Sequence, residues 1–337
     1  MTMTEGTRAP IGVIGAGAWG TALAHVLASE GGPVTIWARE AELVAEINTA
    51  RTNSLYLPSA RLAPQIRATA DLADLAAIPV LLVVAPAQHV GWVLAELPGG
   101  PRDLVLCAKG IEAGSGRLIS DVARDAAPDA AISVLSGPTF AHEVAAGLPT
   151  AVTLACADGF AQWQRLGPML ARPTLRPYYS DDVIGAEVGG AIKNVLAIAC
   201  GVVDGLGLGQ NARAALIARG YAEMLRFGVA RGARPETLAG LCGLGDLVLT
   251  CSSTSSRNFS LGKALGKGQG AREALAGKNS VAEGAHTAPV LAELAARDGI
   301  AMPIVDAVNR LLAGEIPARA VAAELLARPL KAEGAPA

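Results

Sequence analysis

The stretch Ile11-Gly-Val-Ile-Gly-Ala-Gly-Ala-Trp-Gly20 decides the fold. A short apolar run ends in Gly15-x-Gly17-x-x-Gly20, and the helix-forming segment Thr21-Ala-Leu-Ala-His-Val-Leu-Ala28 follows at once. Strand, glycine turn and helix in that order are what a dinucleotide pyrophosphate requires. Gly15 permits the tight turn, Gly17 lets the backbone approach phosphates, and Gly20 lets helix and strand touch. The free N–H groups and dipole of the new helix face the negative charge. A glycine triplet alone says little in a chain with 39 glycines. Here a second apolar strand, Pro33-Val-Thr-Ile-Trp37, supplies the rest of the βαβ context.

The residues after that strand choose the nucleotide. An acidic side chain about twenty residues beyond the glycines binds the ribose 2′-hydroxyl of NAD. This chain places Arg39 there, followed by Glu40. A guanidinium suits a 2′-phosphate through two parallel charged hydrogen bonds, so NADP(H) is favoured. Glu40 leaves room for NAD(H).

Bulk properties narrow the class. A chain of 337 residues is long enough for two domains with separate cores. Hydrophobic residues make up 51%, yet apolar runs such as Val80-Leu-Leu-Val-Val-Ala85 have strand length and none matches an uncharged membrane span. The amino-terminal residues lack the apolar core of a signal peptide. A formal charge of −2 and few, scattered aromatics give no case for nucleic acid. Five cysteines without a C-x-x-C pair read as reduced thiols in the cytoplasm. The four histidines show no metal-ligand spacing, so no metal site is expected.

The first half alternates strands with helices. Beyond the two opening strands, others are expected at Gln65–Ala70, Val80–Ala85, Leu104–Ala108, Ala131–Leu135, Ala151–Cys156 and Thr174–Tyr178, with helices such as Gly91–Glu96 and Gly116–Ala126 between them. Continuous apolar strands separated by helices imply an α/β fold, a doubly wound and mostly parallel Rossmann-type sheet. From Asp181 the pattern is helical: Asp182–Val203, Ala212–Ala230, Ser256–Leu265, Val281–Asp298, Ile304–Leu312 and Ala318–Leu326. The predicted boundary therefore separates a nucleotide-binding domain, 1–180, from an all-helical domain, 181–337.

Ligands of open α/β sheets bind beyond the carboxyl ends of the strands. Lys109 ends one strand. Ser136-Gly137-Pro138-Thr139 ends another, so that Gly137, Thr139 and Ala141 offer backbone N–H groups and a hydroxyl. Lys193 lies on a predicted helix that is apolar or small almost all round, with Gly189, Gly190, Ala197 and Cys200 as its neighbours. An unpaired ammonium there costs roughly several kcal/mol. Small neighbours would let the nucleotide domain approach, and desolvation would draw the lysine pKa toward one useful for proton transfer. Asp246, after Gly243-Leu-Gly245, can pair with it or cap the next helix. The hydroxyl-rich Thr250–Asn258, ending Ser256-Arg257-Asn258, suits a phosphate.

With these blocks the chain closely resembles the bacterial NAD(P)-dependent glycerol-3-phosphate dehydrogenases from Ile11 to about Leu326. The resemblance runs through Gly15-Ala-Gly-Ala-Trp-Gly-Thr-Ala-Leu23, Ala108-Lys-Gly-Ile-Glu112, Ser136-Gly-Pro-Thr-Phe-Ala141 and Leu148-Pro-Thr150. It continues in Gly189-Gly-Ala-Ile-Lys-Asn194, Asn211-Ala-Arg-Ala-Ala-Leu216, Gly243-Leu-Gly-Asp-Leu-Val-Leu-Thr-Cys251, Ser256-Arg-Asn258 and Val281-Ala-Glu-Gly284. It implies Lys193 as catalytic acid/base, and contacts to glycerol phosphate from Lys109, Gly137, Thr139, Asp246, Ser256, Arg257 and Asn258. Cofactor contacts are implied for Ala18, Trp19, Arg39, Lys109, Ala141, Arg257, Val281 and Glu283, beside the glycines 15, 17 and 20. Where the family commonly has serine, this chain has Ala18, which puts a side-chain phosphate contact there in doubt.

The implied reaction is reversible reduction of dihydroxyacetone phosphate to sn-glycerol 3-phosphate, for glycerophospholipid synthesis, by a cytoplasmic enzyme for which a homodimer is compatible. Two alternatives stay open. A related lysine-dependent dehydrogenase would take a β-hydroxyacid. A nicotinamide-binding sensor would show no turnover, although the Lys193 and Asp246 pair argues against it.

Overall fold

A computed structural model describes residues 8–275 and 282–327. They form two compact units, one built from residues up to 109 with 118–186, the other from 110–117 with 187 onward.

The first unit is a single eight-stranded sheet. In chain order it runs β1 Ile11–Ile14, α1 Ala18–Ala28, β2 Val34–Trp37, α2 Ala41–Ala50, β3 Ile66–Thr69, β4 Val80–Val83, α3 Val90–Glu96 and β5 Arg102–Leu106. It continues with α4 Ile119–Ala126, β6 Ala130–Ser136, α5 Ala141–Ala145, β7 Thr150–Cys156, α6 Gly159–Leu170 and β8 Leu175–Ser180. All eight strands read from the sequence are present. Their order, β3-β2-β1-β4-β5-β6-β7-β8, contains the 3-2-1-4-5-6 order of a dinucleotide-binding sheet. Central β1 pairs in parallel with both β2 and β4, Ile11 standing opposite Val34 and Val80. Every residue of β1 and β4 is buried, which is why these strands read as unbroken apolar runs.

β6 and β7 are antiparallel, the one exception in the sheet. Only the five-residue α5 and its flanking turns separate them, too little chain for a crossover over the sheet.

The segment 110–117 departs from the sequence reading, which gave it to the nucleotide-binding half and began a helix at Gly116. It belongs to the helical unit, and α4 begins at Ile119. Gly116 has φ +67°, and a Cβ there would lie 2.8 Å from Leu294 Cδ2, so the segment is pressed against that side chain.

The second unit is helical. Its elements are α7 Val183–Gly205, which starts at the end of the first unit, α8 Gly209–Ala230, α9 Pro235–Ala239, α10 Asp246–Cys251 and α11 Arg257–Gly266. Next come α12 Ala271–Leu275, α13 Glu283–Arg297, α14 Pro303–Leu312 and α15 Ala318–Leu326. Short α9 and α12 were not expected, and Leu241–Gly245 forms a π-helical turn. Buried Glu223 of α8 accepts the Ile304 and Val305 N–H groups at 2.8 and 3.2 Å, capping α14 with a carboxylate.

By length and mean hydropathy, 1.5, α7 could cross a bilayer, but 94% of that window is buried inside the protein. It is a core helix. The chain from 242 to 266 lies along it at backbone distance: a Cβ on Gly189 would stand 2.6 Å from the Cys242 carbonyl oxygen, and one on Gly262 would overlap the Ile198 carbonyl. Gly189 beside Lys193 therefore serves packing within the helical unit. That corrects the expectation that Gly189 makes room for the nucleotide domain.

Candidate active site

In the first unit the glycine turn is held from below. Gly15, at φ +112°, adopts a conformation that side chains resist, and a Cβ on Gly20 would collide with the Gly15 carbonyl. Gly17 differs. Its backbone is ordinary, φ −65° and ψ 178°, and a Cβ there would meet nothing within 4 Å. Nothing in the unit demands glycine at this position, so the open space fits an external group. It lies at the start of α1, where no side chain caps the helix N–H groups. These features suit a dinucleotide pyrophosphate.

A buried network steadies the turn. Asn53 Nδ2 donates to the Ala16 carbonyl at 2.9 Å and to Thr21 Oγ1 at 2.8 Å, and Thr21 Oγ1 donates to the same carbonyl at 3.1 Å. Sequence reasoning missed Asn53, because one asparagine in a polar loop carries no signal of a partner 37 residues away.

Ala18 opens α1 without a hydroxyl. Trp19, partly buried, keeps its Nε1 out of solvent with no acceptor among the described residues. Arg39 and Glu40 follow β2 as an exposed ion pair 3.4 Å apart.

At the other strand ends, Lys109 Nζ donates to the Gly137 carbonyl at 3.1 Å and Thr139 Oγ1 to the same oxygen at 3.3 Å. Gly137 has no space for a side chain, since a Cβ would stand 2.9 Å from Val152 Cα. Ala141 begins α5. The structure thus brings together Lys109, Gly137 and Thr139, residues that the sequence only placed at two strand ends.

In the second unit Lys193 is 6% exposed and Asp246 is fully buried. Lys193 Nζ donates to Asp246 Oδ1 at 2.7 Å and to Thr250 Oγ1 at 2.9 Å, and Thr250 Oγ1 donates to Asp246 Oδ1 at 3.1 Å. Asp246 is the first residue of α10, where its place in the first turn suits a negative charge. The sequence reading offered Asp246 either as the partner of Lys193 or as a helix cap, and the structure makes the pair. Thr250, one turn after Asp246, was not singled out, though an i,i+4 pair on one helix face is a legible signal.

Next to Lys193, Asn194 Oδ1 accepts from Asn258 Nδ2 at 2.9 Å, and Asn258 Oδ1 accepts the Gly284 N–H at 3.0 Å. Ser256 caps α11 by accepting the Phe259 N–H at 3.2 Å, and Arg257 stands exposed at its first position. Glu283 opens α13. Val281 lies outside the described residues.

All five cysteines are free and buried. Burial pushes the Cys107 thiol up to about 12 and Cys156 to about 11, and raises Cys251 as well, so none of these is a thiolate near neutral pH. Among the described residues no group of three metal-ligating side chains converges.

A glycine turn suited to a pyrophosphate in one unit, and a lysine sequestered beside a carboxylate in the other, fit the class of nicotinamide-nucleotide oxidoreductases. The comparisons specify the family. Residues 10–161 match the N-terminal and 182–323 the C-terminal part of the NAD-dependent glycerol-3-phosphate dehydrogenases. The glycerol-3-phosphate dehydrogenase, NAD(P)+, of Erythrobacter litoralis is 71% identical over 96% of this chain and 98% of its own length. That of Novosphingobium aromaticivorans is 70% identical over the same shares. The crystal structure of the Coxiella burnetii glycerol-3-phosphate dehydrogenase is 39% identical, covers 95% of this chain and 99% of its own, and superposes with a TM-score of 0.90. The chain belongs to the NAD-dependent glycerol-3-phosphate dehydrogenase family.

Proposed function

We propose that this chain interconverts dihydroxyacetone phosphate and sn-glycerol 3-phosphate with NAD(P)H, supplying the glycerol backbone of phospholipids. The observation that carries the reading at the level of residues is the buried Lys193–Asp246–Thr250 cluster. A bound reduced nicotinamide supplies the hydride. Lys193, as ammonium, stabilises the developing alkoxide on the substrate oxygen and gives it a proton; in the reverse direction it takes the proton back. Asp246 and Thr250 fix the Nζ position, so that little reorganisation accompanies the transfer.

In the helical half, residues 181–337, Asp246, Ser256, Arg257 and Asn258 contact the substrate, Arg257 on its phosphate and also on the cofactor, with Val281 and Glu283 on the cofactor. In the nucleotide-binding half, 1–180, Gly15, Gly17, Ala18, Trp19, Gly20, Arg39 and Ala141 contact the cofactor. Lys109 contacts both cofactor and substrate, and Gly137 and Thr139 the substrate. Arg39 favours NADP(H) over NAD(H), because its exposed guanidinium can donate to a 2′-phosphate. Five buried, free thiols support a cytoplasmic setting. A homodimer is the assembly to test by sedimentation.

The deciding experiment is loss of NADPH absorbance with dihydroxyacetone phosphate, beside unphosphorylated dihydroxyacetone and a panel of β-hydroxyacids. Turnover confined to a β-hydroxyacid, or nucleotide binding without turnover, overturns the reading.

A further inference from the structure

We propose that Glu40 is a specificity-determining residue at the adenosine end of the nucleotide site: its carboxylate holds Arg39 and opposes a 2′-phosphate, which keeps the site open to both NAD(H) and NADP(H). The proposal rests on the nucleotide-site reading above and deepens it, since there Glu40 only left room for NAD(H).

The geometry lies within a few residues of chain. The Trp37 carbonyl at the end of β2 accepts the Gly15 N–H at 3.0 Å, so the chain leaving β2 is tied to the glycine turn. Buried Ala38 donates its N–H to the Thr69 carbonyl at 2.9 Å, anchoring the next step. Arg39 and Glu40 then reach outward, their side chains 76% and 39% exposed, with Arg39 Nη2 3.4 Å from Glu40 Oε1.

Glu40 serves α2 through its backbone carbonyl, which accepts the Val44 N–H at 3.1 Å. It occupies the N-cap position of α2, at φ −82° and ψ 110°, where a short oxygen-bearing side chain would accept a helix N–H. Its carboxylate makes no such bond. Among the described residues its hydrogen-bonding partner is Arg39. A side chain that the helix does not use, and that stands against the one cation suited to a 2′-phosphate, acts on whatever that cation binds.

The two charges pull in opposite directions. Arg39 donates to a 2′-phosphate, and a carboxylate accepts from ribose hydroxyls. A 2′-phosphate must draw the guanidinium away from Glu40 while standing close to a like charge. Both side chains are exposed, so each effect is modest and screened by salt.

The test is a fluorescence titration of NADPH and of NADH into wild type, Glu40→Gln and Arg39→Gln. Thermal melts run alongside confirm that these exposed substitutions leave the fold intact. Glu40→Gln should bind NADPH about three- to tenfold more tightly and NADH no better than wild type. The gain should shrink at about 0.5 M salt, where the screening length falls to a few ångströms. Arg39→Gln should move the ratio of the two affinities the other way. A ratio for Glu40→Gln within about twofold of wild type, or a shift toward NADH, overturns the proposal while leaving the nucleotide site in place. Wild type that binds neither nucleotide overturns the site reading and this proposal together.

Discussion

The glycine turn of the first unit and the lysine cluster of the second both manage charge, but they are assembled from different material. The turn is ten consecutive residues. Its shape follows mainly from local steric rules, the positive φ of Gly15 and the close approach of Gly20 to the Gly15 carbonyl. The cluster joins Lys193 on α7 to Asp246 and Thr250 on α10, 53 and 57 residues away. One is a local conformation. The other is a buried ion pair that exists only when two helices pack. Mutation should expose this difference, because the turn can lose function without losing the fold, whereas the cluster couples the two.

The largest effect is expected at Lys193. Lys193→Met should lower turnover by about 10²–10⁴, the range for a positioned proton donor. It also removes the ammonium that pairs with buried Asp246, at a cost of about 3–5 kcal/mol in stability. Lys193→Met/Asp246→Asn should recover much of that stability in denaturant titrations and none of the turnover. A single variant that keeps more than about a tenth of wild-type turnover would show that Lys193 is structural.

The turn should separate its glycines. Gly20→Ala forces a Cβ onto the Gly15 carbonyl and should destabilise the protein by about 1–3 kcal/mol or more. Gly17→Ala meets empty space, so its melting curve should stay close to wild type. Nucleotide binding should weaken about tenfold to a hundredfold, as an added methyl displaces the phosphates. Equal losses of stability in both variants would erase the distinction between a glycine that packing requires and one that a ligand requires.

Arg257, exposed at the start of α11, should affect recognition alone. Arg257→Ala should cost about 1.5–3 kcal/mol in kcat/KM for dihydroxyacetone phosphate and far less for unphosphorylated dihydroxyacetone. Comparable losses for both substrates would move Arg257 away from the phosphate.

The smallest effect concerns His25 on α1. Burial holds its imidazole below the ordinary 6.5, and its Nδ1 accepts the Ala63 N–H at 3.1 Å, which requires the neutral ring. The folded state binds this proton less readily than the unfolded chain. Its contribution to stability is therefore present above pH 6.5 and declines as pH falls from there toward the lowered folded value. Denaturant titrations at pH 7.5 and at pH 5.5 should show a shallower acid loss in His25→Gln. An identical loss in both proteins would assign the acid sensitivity elsewhere.

The sequence by itself determined the strands, the longer helices, the nucleotide turn and the identity of most candidate side chains. Periodicity and glycine spacing are local properties, and the physics that produces them acts between residues close in the chain. Tertiary structure decided the rest. It gave Asp246 to Lys193 when helix capping was the competing role, set the Thr250 hydroxyl beside both, and added Asn194 and Asn53 through hydrogen bonds that no spacing announces. It moved 110–117 into the helical unit and filled the space at Gly189 with the chain at Cys242. Each of these depends on which surfaces meet when distant segments pack. A sequence states which groups need partners, and only the packed chain states which partners lie within about 3 Å of them.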